Sequence, residues 1–412
     1  MNDDRAAQAT DVQLRRALVD EIAAEGWLRT PAIKAAMEML PRHLFVPGAS
    51  VEQAYANTTV DIKHADDGLA ISCASQPTVV AMMLEQLQVE PGHNVLELGA
   101  GTGYNAGLLG KLVGPTGRVT TVDVDDDLVT GARSHLAAAG LGNVSVVLGD
   151  GALGHPADAP YDRIVATVGA HGVPRAWLDQ LAPGGRLVVP QRIRGSVSRS
   201  FSYENRSGTW VSIGSQMNSF MPLRDGVAAD DRDFIPIAAD GSVRLQTYST
   251  QPVDAAALAD VIDQPRSIAW TDVLFRGKES PEWMELWLTC SFSSGLNRMT
   301  SNDEAARLLV DDPYPSSAAV VENGTLAYLV RRLSRHRTPE GDKLWEFGVV
   351  GHGPAGDDLA QRVRESMRTW NRDYRGREVS FELRIHAHST TAPYEDRFVV
   401  EAPPGQLLID WH

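Results

Sequence analysis

One glycine-rich segment of the sequence combines residue types that are typical of a nucleotide-cofactor site. Residues 95–103 read Val-Leu-Glu-Leu-Gly-Ala-Gly-Thr-Gly, an apolar strand pattern that contains Glu97 and ends in three alternating glycines. Glycines allow a tight turn and let a ligand lie against main-chain atoms, because no Cβ intervenes. The spacing differs from the Gly-x-Gly-x-x-Gly of dinucleotide-binding folds, which argues against a dehydrogenase.

Acidic residues at the ends of the next two predicted strands extend this site. Asp123 follows Gly99 by 24 residues, where a carboxylate can accept hydrogen bonds from both hydroxyls of a ribose. Gly149-Asp150-Gly151 ends the third strand, where an Asp can accept a bond from an adenine amine. Each signal alone is also typical of an ordinary turn, but the three together predict a nucleotide-like cofactor.

The acid two residues before the first glycine suits the cationic end of S-adenosylmethionine better than a pyrophosphate. We therefore predict S-adenosylmethionine as cofactor, with S-adenosylhomocysteine as its product. The predicted cofactor-binding residues are Glu97, Gly99, Ala100, Gly101, Thr102, Gly103, Asp123, Val124, Asp150 and Gly151.

Alternating apolar runs and helical patterns predict the elements that position these residues. The apolar runs lie at 94–98, 118–122, 144–148, 163–167 and 186–190, and helical patterns such as 128–139 and 174–181 separate them. This alternation predicts a doubly wound, Rossmann-like α/β domain with a parallel sheet. Two predicted helices within residues 11–40 precede it, and beyond about residue 225 the change in pattern predicts an appended α+β domain. The predicted divisions are 1–76, 77–225 and 226–412.

Composition restricts the partners and the compartment. The 412 residues carry 53 acids against 38 Lys and Arg, a net charge of −15, so we expect no nucleic-acid or membrane partner. Cys73 and Cys290 are too few for a disulfide framework, and we find neither a signal-peptide pattern nor a run of 18 apolar residues. These features predict a cytoplasmic protein. His43 and His171 lack partners at metal-ligand spacing, so no metal is expected.

A longer, collinear set of motifs resembles one enzyme family. These motifs are Leu40-Pro-Arg-His-Leu-Phe-Val-Pro47, Tyr55, Ser75-Gln-Pro-Thr-Val-Val-Ala-Met82, the glycine loop, Gly149-Asp-Gly151, Ala159-Pro-Tyr-Asp162, Gln180-Leu-Ala-Pro-Gly-Gly-Arg186 and Phe220-Met-Pro-Leu223. Over residues 40–223 the sequence resembles the protein-L-isoaspartate (D-aspartate) O-methyltransferases, which esterify a carboxylate. The resemblance implies that Ser75 is the active-site serine that contacts the methyl-accepting carboxylate. It also places Glu97, Gly99, Gly101, Asp123, Asp150 and Gly151 on cofactor-contacting positions.

The sequence departs from this family in two ways. Residues 60–74 replace a segment that borders the substrate pocket in the repair enzymes, and some 190 residues follow the similar part. The added length resembles methyltransferases of ribosomal-peptide biosynthesis, such as lanthipeptide, graspetide and FxLD systems. That likeness implies methylation of an Asp in an acidic precursor peptide, followed by aspartimide formation. General repair of isoaspartyl-containing proteins is the alternative, and a non-catalytic cofactor-binding regulator is a third interpretation.

The predicted chemistry needs positioning rather than a base. A carboxylate with a pKa near 4 is ionised at neutral pH, so its attack on a sulfonium methyl group depends on alignment. Ser75 precedes a helix that begins at Pro77; its hydroxyl can orient the acceptor, and free N–H groups of the helix start would favour an anion. From local sequence alone, a plain helix N-cap is the favoured interpretation of Ser75, and the family resemblance reverses this preference. Asp61, His64 and Asp67 are predicted to line the acceptor pocket, or else to lie in a solvated loop.

The appended region contains a basic amphipathic helix at residues 358–377. Leu359, Val363, Met367 and Trp370 form its apolar stripe, and it carries six arginines in an otherwise acidic chain. This charge inversion predicts contact with an acidic peptide through Trp370, Asn371, Arg372 and Arg375. A solvated helix with Trp370 in the core is the alternative. The segment 405–412 has the pattern of a terminal strand.

Overall fold

The computed structural model describes residues 2–64, 68, 70–223, 231–251, 253–301, 309, 318–385 and 397–412. The helices are α1 (Asn2–Ala24), α2 (Pro31–Met39), α3 (Val51–Ala54), α4 (Pro77–Leu87), α5 (Tyr104–Val113), α6 (Asp126–Ala138), α7 (Arg175–Asp179), α8 (Glu282–Ser291) and α9 (Gly356–Thr369). The first ten strands are β1 (Val60–His64), β2 (Ala70–Ala74), β3 (Asn94–Leu98), β4 (Arg118–Asp123), β5 (Val144–Leu148), β6 (Tyr161–Ala166), β7 (Leu181–Arg194), β8 (Val197–Arg206), β9 (Thr209–Met217) and β10 (Arg232–Pro236). The others are β11 (Val243–Tyr248), β12 (Arg266–Arg276), β13 (Asn297–Ser301), β14 (Ala318–Glu322), β15 (Thr325–Arg337), β16 (Lys343–His352), β17 (Val379–Ile385), β18 (Arg397–Ala402) and β19 (Gly405–Trp411).

A ten-stranded sheet organises the first half of the chain. Its order is β18-β19-β17-β9-β8-β7-β6-β3-β4-β5, and the strands from β7 to β5 run parallel. Strand β3 is flanked by β4 on one side and β6 on the other, so the strand order reverses there. In open α/β sheets, ligands bind at the carboxyl ends of the strands at such a switch point. The predicted doubly wound α/β fold is confirmed.

The N-terminal helices complete the hydrophobic core on one face of this sheet. Leu18 and Ile22 of α1 and Ile33 and Met37 of α2 are buried in one cluster with Val95 of β3. Burial of each such side chain is worth roughly 1.5–3 kcal/mol relative to exposure, so this helical segment is an integral part of the domain. Helix α2 begins at Pro31, as its sequence predicts, although the Thr30 side chain does not cap it.

The appended region forms a second sheet and also extends the first. A seven-stranded antiparallel sheet has the order β10-β11-β13-β14-β15-β16-β12, and α8 and α9 contribute to the core beside it. The last three strands instead join the ten-stranded sheet, where Leu383 of β17 pairs with Trp210 of β9. Hydrogen bonding of that sheet therefore crosses the predicted boundary at residue 225, and the division into domains stays a prediction.

The amphipathic helix and the terminal strand both form as their patterns predict. The stripe residues Leu359, Val363 and Met367 of α9 are buried, and β19 ends at Trp411. A short π-helical turn (Trp370–Tyr374) continues α9. None of the helices that the structure describes has the length and apolar character needed to span a membrane.

Candidate active site

A cavity of about 320 Å³ lies at the carboxyl ends of β3 and β4. This volume lies at the lower end of the range of small-molecule sites. The structure brings nine of the predicted site residues together in its wall: Ser75, Glu97, Gly99, Ala100, Gly101, Thr102, Asp123, Val124 and Gly151. Gly103 and Asp150 do not line it. Four segments that are far apart in sequence thus meet at one place, as the sheet topology requires.

The glycine loop has the conformation that its sequence predicts. Gly99 has φ +101°, and a Cβ there would lie 2.7 Å from Oγ1 of Thr167, whose hydroxyl donates to the Gly99 carbonyl. Gly101 has φ +49°, and a Cβ there would meet nothing within 4 Å. Gly103 instead allows close packing of α5 on α6, because its Cβ would lie 3.2 Å from that of Ala132. At position 99, only glycine can adopt the positive φ without strain and also leave room for the Thr167 side chain.

Glu97 is fully buried beneath this loop. Its carboxylate accepts hydrogen bonds from Nδ2 of Asn105 at 2.7 Å and from Oγ1 of Thr121 at 2.5 Å. Burial raises the pKa of Glu97 to about 7, although both hydrogen bonds favour the ionised form. A buried acid of this kind, open to the cavity, fits a ligand that carries positive charge and hydrogen-bond donors.

We predict that cofactor affinity rises with pH through neutrality. Because the raised pKa of Glu97 lies near 7, the ionised fraction rises about tenfold between pH 6 and pH 8. Only the carboxylate attracts the ammonium group that S-adenosylhomocysteine carries, so this ligand should bind about tenfold more weakly at pH 6 than at pH 8. Isothermal titration calorimetry measures this, and the Glu97→Gln protein should show a flat profile. Equal pH dependence in both proteins would contradict the assignment.

The two strand-end acids differ in their surroundings. Asp123 accepts hydrogen bonds from the amides of Gly101 at 2.9 Å and Asp125 at 3.2 Å, so it ties the glycine loop to the end of β4 while still lining the cavity. Asp150 accepts from the amide of Ala152 at 2.8 Å and caps a short 3-10 helix. The predicted hydrogen bond from an adenine amine to Asp150 stays a prediction, whereas the structure shows the capping hydrogen bond directly.

Ser75 lies in the cavity wall between β2 and α4. The N-cap position of α4 belongs to Gln76, so the alternative of Ser75 as the cap is wrong. The expected free N–H groups at this helix start are also not present. Pro77 has no N–H, the amide of Thr78 donates to Oδ1 of Asn57, and the amide of Val79 bonds within the turn. Anion binding at this helix start is therefore not supported, and Ser75 and Gln76 are the residues with polar side chains that line the cavity here.

Arg42 is a site residue that the sequence analysis missed. Its side chain is 1% exposed, lines the cavity, and donates to the carbonyl of Ser75 at 3.0 Å and that of Ala74 at 3.4 Å. The guanidinium lies over the ring of Tyr104, 5.4 Å from its centroid. Burial lowers the pKa of Arg42 from its usual value. The sequence signal was an arginine beside His43 inside a mostly apolar motif.

We predict that Arg42→Lys lowers kcat about tenfold, because small misplacements of reacting groups are costly. A lysine ammonium lacks the planar fork that reaches two carbonyls at once, so the Ser75 segment should lose its fixed position. Arg163→Lys is a matched control, since Arg163 also donates to backbone carbonyls, those of Leu87, Gln88 and Asp162. Both variants should melt at lower temperature, but only Arg42→Lys should lose turnover. Equal kcat values in the two variants would contradict this role.

The residues predicted to line the acceptor pocket upstream of Ser75 lie elsewhere. Asp61 and His64 are half-exposed on β1, with His64 Nε2 and Asp61 Oδ2 3.8 Å apart, and neither lines the cavity. Asp61 borders a neighbouring groove beside Lys63, whose Nζ pairs with Asp127 at 2.8 Å. Asp67 lies outside the described residues.

The predicted peptide contact at Trp370 is wrong. Its side chain is 3% exposed and stacks with Phe275 in the core, because it continues the apolar stripe of α9. Arg375 packs over the same two rings and pairs with Asn371 and Glu279. Arg372 is exposed and pairs with its neighbour Asp373 at 2.7 Å. Much of the local charge inversion is therefore compensated within the region itself.

The doubly wound sheet, the glycine loop and the strand-end acids define the class of S-adenosylmethionine-dependent methyltransferases. Residues 13–228, more than half of the chain, match the family model for protein-L-isoaspartate(D-aspartate) O-methyltransferase. The chain belongs to this family, which confirms the resemblance, the predicted enzyme class of carboxyl methyltransferase and the cofactor. The family acts on isoaspartyl-containing proteins.

Two sequence relatives and one solved structure are similar to this chain. The protein-L-isoaspartate O-methyltransferase of Methanopyrus kandleri is 43% identical over 177 residues, covering 43% of this chain and 76% of its own length. The enzyme of the same name from Methanosarcina mazei is 43% identical over 178 residues, covering 43% and 70%. A solved protein-L-isoaspartate O-methyltransferase structure aligns with 89% of this chain and 96% of its own, at 21% identity and a TM-score of 0.48.

Proposed function

We propose that this chain methylates the free α-carboxylate of isoaspartyl residues in damaged proteins. The observation that carries the proposal is the cavity at the sheet switch point, where Ser75 lies in one wall with the glycine loop. All the residues that we assign to catalysis and cofactor binding fall within the matched residues 13–228. Support thus comes from one continuous site rather than from isolated motifs.

The chain's own residues position the reaction. When bound, S-adenosylmethionine supplies an electrophilic methyl group on a sulfonium. The acceptor carboxylate is already ionised at neutral pH, so no general base is required. We assign to the Ser75 hydroxyl the single hydrogen bond that orients the acceptor, and to Arg42 the fixing of the Ser75 backbone. Cys73 also lines the cavity, but burial raises the pKa of its thiol, so it stays protonated.

The precursor-peptide interpretation is not favoured by the described residues. It depends on the basic helix of the appended region as a peptide-binding surface. Trp370 is buried, Arg375 pairs with Glu279, and Arg368 pairs with Asp272. Repair of isoaspartyl-containing proteins therefore remains the better supported function.

A comparison of aged and fresh protein tests the proposal. A small unrelated protein is incubated at raised temperature to accumulate isoaspartyl residues, and a fresh sample serves as its control. We expect this enzyme to transfer labelled methyl groups to the aged sample in proportion to its isoaspartyl content, measured separately by peptide mapping. Equal labelling of both samples, or none, would overturn the proposed substrate.

A further inference from the structure

Arg232 brings the appended region to the wall of the active-site cavity. It begins β10, outside the residues that match the family model, and lines the same cavity as Ser75. Its side chain is exposed, and within the described residues its one hydrogen bond is a weak contact of Nη2 with Sδ of Met221 at 3.8 Å. Its guanidinium therefore retains donors for a ligand at the mouth of the cavity.

The acidic and the basic residues of the cavity wall have different roles. In the part of the chain that the structure describes, the acids in the wall are Glu97 and Asp123, both assigned to the cofactor. The cations in the wall are Arg42 and Arg232. Arg42 is buried and already donates to two carbonyls, whereas Arg232 is exposed. An incoming anionic polypeptide thus meets Arg232 as the accessible cation.

The backbone of Arg232 is tied to the methyltransferase sheet through its strand partner Tyr248. In the β10–β11 pair, Arg232 lies opposite Tyr248. The guanidinium of Arg192, on β7, lies over the Tyr248 ring at 4.1 Å from its centroid, a cation–π contact. Tyr248 also shares a small cavity with Phe220 and Pro222, which belong to the segment that lines the active site. Arg232 is therefore held beside the active site through Tyr248.

The segment that Arg232 touches is itself fixed against the sheet. The amide of Gly169 donates to the carbonyl of Met221, and the amide of Leu223 donates to the carbonyl of Gly169, both at 2.7 Å. The appended region also reaches this place from its other end, because the amide of Val173 donates to the carbonyl of Pro403 at 2.9 Å. One end of the appended region thus contacts Met221 in the cavity wall, and the other contacts Val173, five residues beyond the wall residue Val168.

We infer that the appended region confers acceptor specificity through Arg232, which binds an acidic side chain next to the residue that is methylated. The inference rests on the proposed function, since it concerns the same acceptor. Arg232 is exposed at the cavity mouth, so the flanking carboxylate rather than the reacting one is its ligand. Tyr248 is a positioning residue that acts through Arg232.

Paired peptides test this inference. Two isoaspartyl peptides differ in a single flanking residue, Glu or Gln, and two aspartyl versions carry the same pair. Binding is measured by calorimetry with S-adenosylhomocysteine present, and KM and kcat by methyl transfer. We expect the wild-type enzyme to prefer the Glu peptides about fivefold in binding and in KM, in the range of partly exposed charge pairs. Arg232→Gln should abolish the preference both in binding and in KM.

Two further variants keep the experiment interpretable. Tyr248→Leu removes the ring that Arg192 packs against and should reduce the preference, whereas Arg244→Gln neutralises an exposed arginine on β11 outside the cavity wall and should leave it intact. No preference in the wild-type enzyme, or a preference that survives Arg232→Gln, would overturn the inference. Failure to methylate isoaspartyl peptides would instead overturn the proposed function, because the binding preference is measured without turnover.

Discussion

Gly101→Leu is expected to abolish cofactor binding while the protein stays folded. A Cβ at Gly101 meets no atom within 4 Å, and the residue lines the cavity, so the new side chain would occupy cofactor space rather than clash with the protein. We expect the dissociation constant for S-adenosylhomocysteine to rise by at least about two orders of magnitude, since buried ligand contacts are lost throughout. Calorimetry measures the affinity, and circular dichroism checks the fold.

Gly184→Leu is the matched control for the backbone strain. Both glycines have positive φ, +49° and +76°, and a Cβ meets nothing within 4 Å at either position, but Gly184 is exposed on β7. Each substitution costs about 1–2 kcal/mol for the left-handed backbone. The two variants should therefore melt similarly, and only Gly101→Leu should lose the cofactor. If Gly101→Leu binds normally, the glycine loop does not hold the cofactor.

Ser75→Ala is expected to lower kcat about 100-fold, the scale of a small misplacement of reacting groups. The carboxylate loses its one assigned orienting hydrogen bond, while the glycine loop and the strand-end acids are untouched. The affinity for S-adenosylhomocysteine should therefore stay within about twofold, because we assign Ser75 no hydrogen bond to the cofactor. Single-turnover kinetics with a saturating isoaspartyl peptide separates the methyl-transfer step from product release.

Ser72→Ala supplies the control for that measurement. Ser72 is three residues upstream, is buried and lines the same cavity. It should keep near wild-type turnover, because we assign it no contact with the acceptor. Comparable losses in both variants would mean that cavity polarity, rather than a specific hydrogen bond from Ser75, controls the rate.

Most of the residues predicted for the cofactor come together in one cavity because their sequence signals are local. Glu97 lies within β3, the glycine loop follows that strand, and Asp123 ends β4. Both strands have contiguous apolar runs, and parallel strands bring their carboxyl ends to one edge of a sheet. The strand Asn94–Leu98 forms with the predicted bounds. Such features depend on periodicity and turn chemistry, which short stretches of sequence contain.

The acceptor side depends on contacts between distant segments. Arg42 reaches a carbonyl 33 residues away, and Arg232 lies 157 residues beyond Ser75. Neither the burial of an arginine nor its partner follows from periodicity. Trp370 shows the same limit, because its stripe predicts one buried face but an aromatic residue at the helix end is equally typical of a binding surface. Likewise, strands β17 to β19 join the first sheet through pairing that no local pattern encodes.

Mass spectrometry of one peptide pair tests the central claim most directly. The enzyme is incubated with S-adenosylmethionine and two peptides that are identical except for isoaspartate or aspartate at one position. We predict that the isoaspartyl peptide gains one methyl group, and then loses methanol as a succinimide forms, while the aspartyl peptide stays unchanged. Methylation of the aspartyl peptide alone would contradict the account and would make the enzyme an aspartyl-specific methyltransferase.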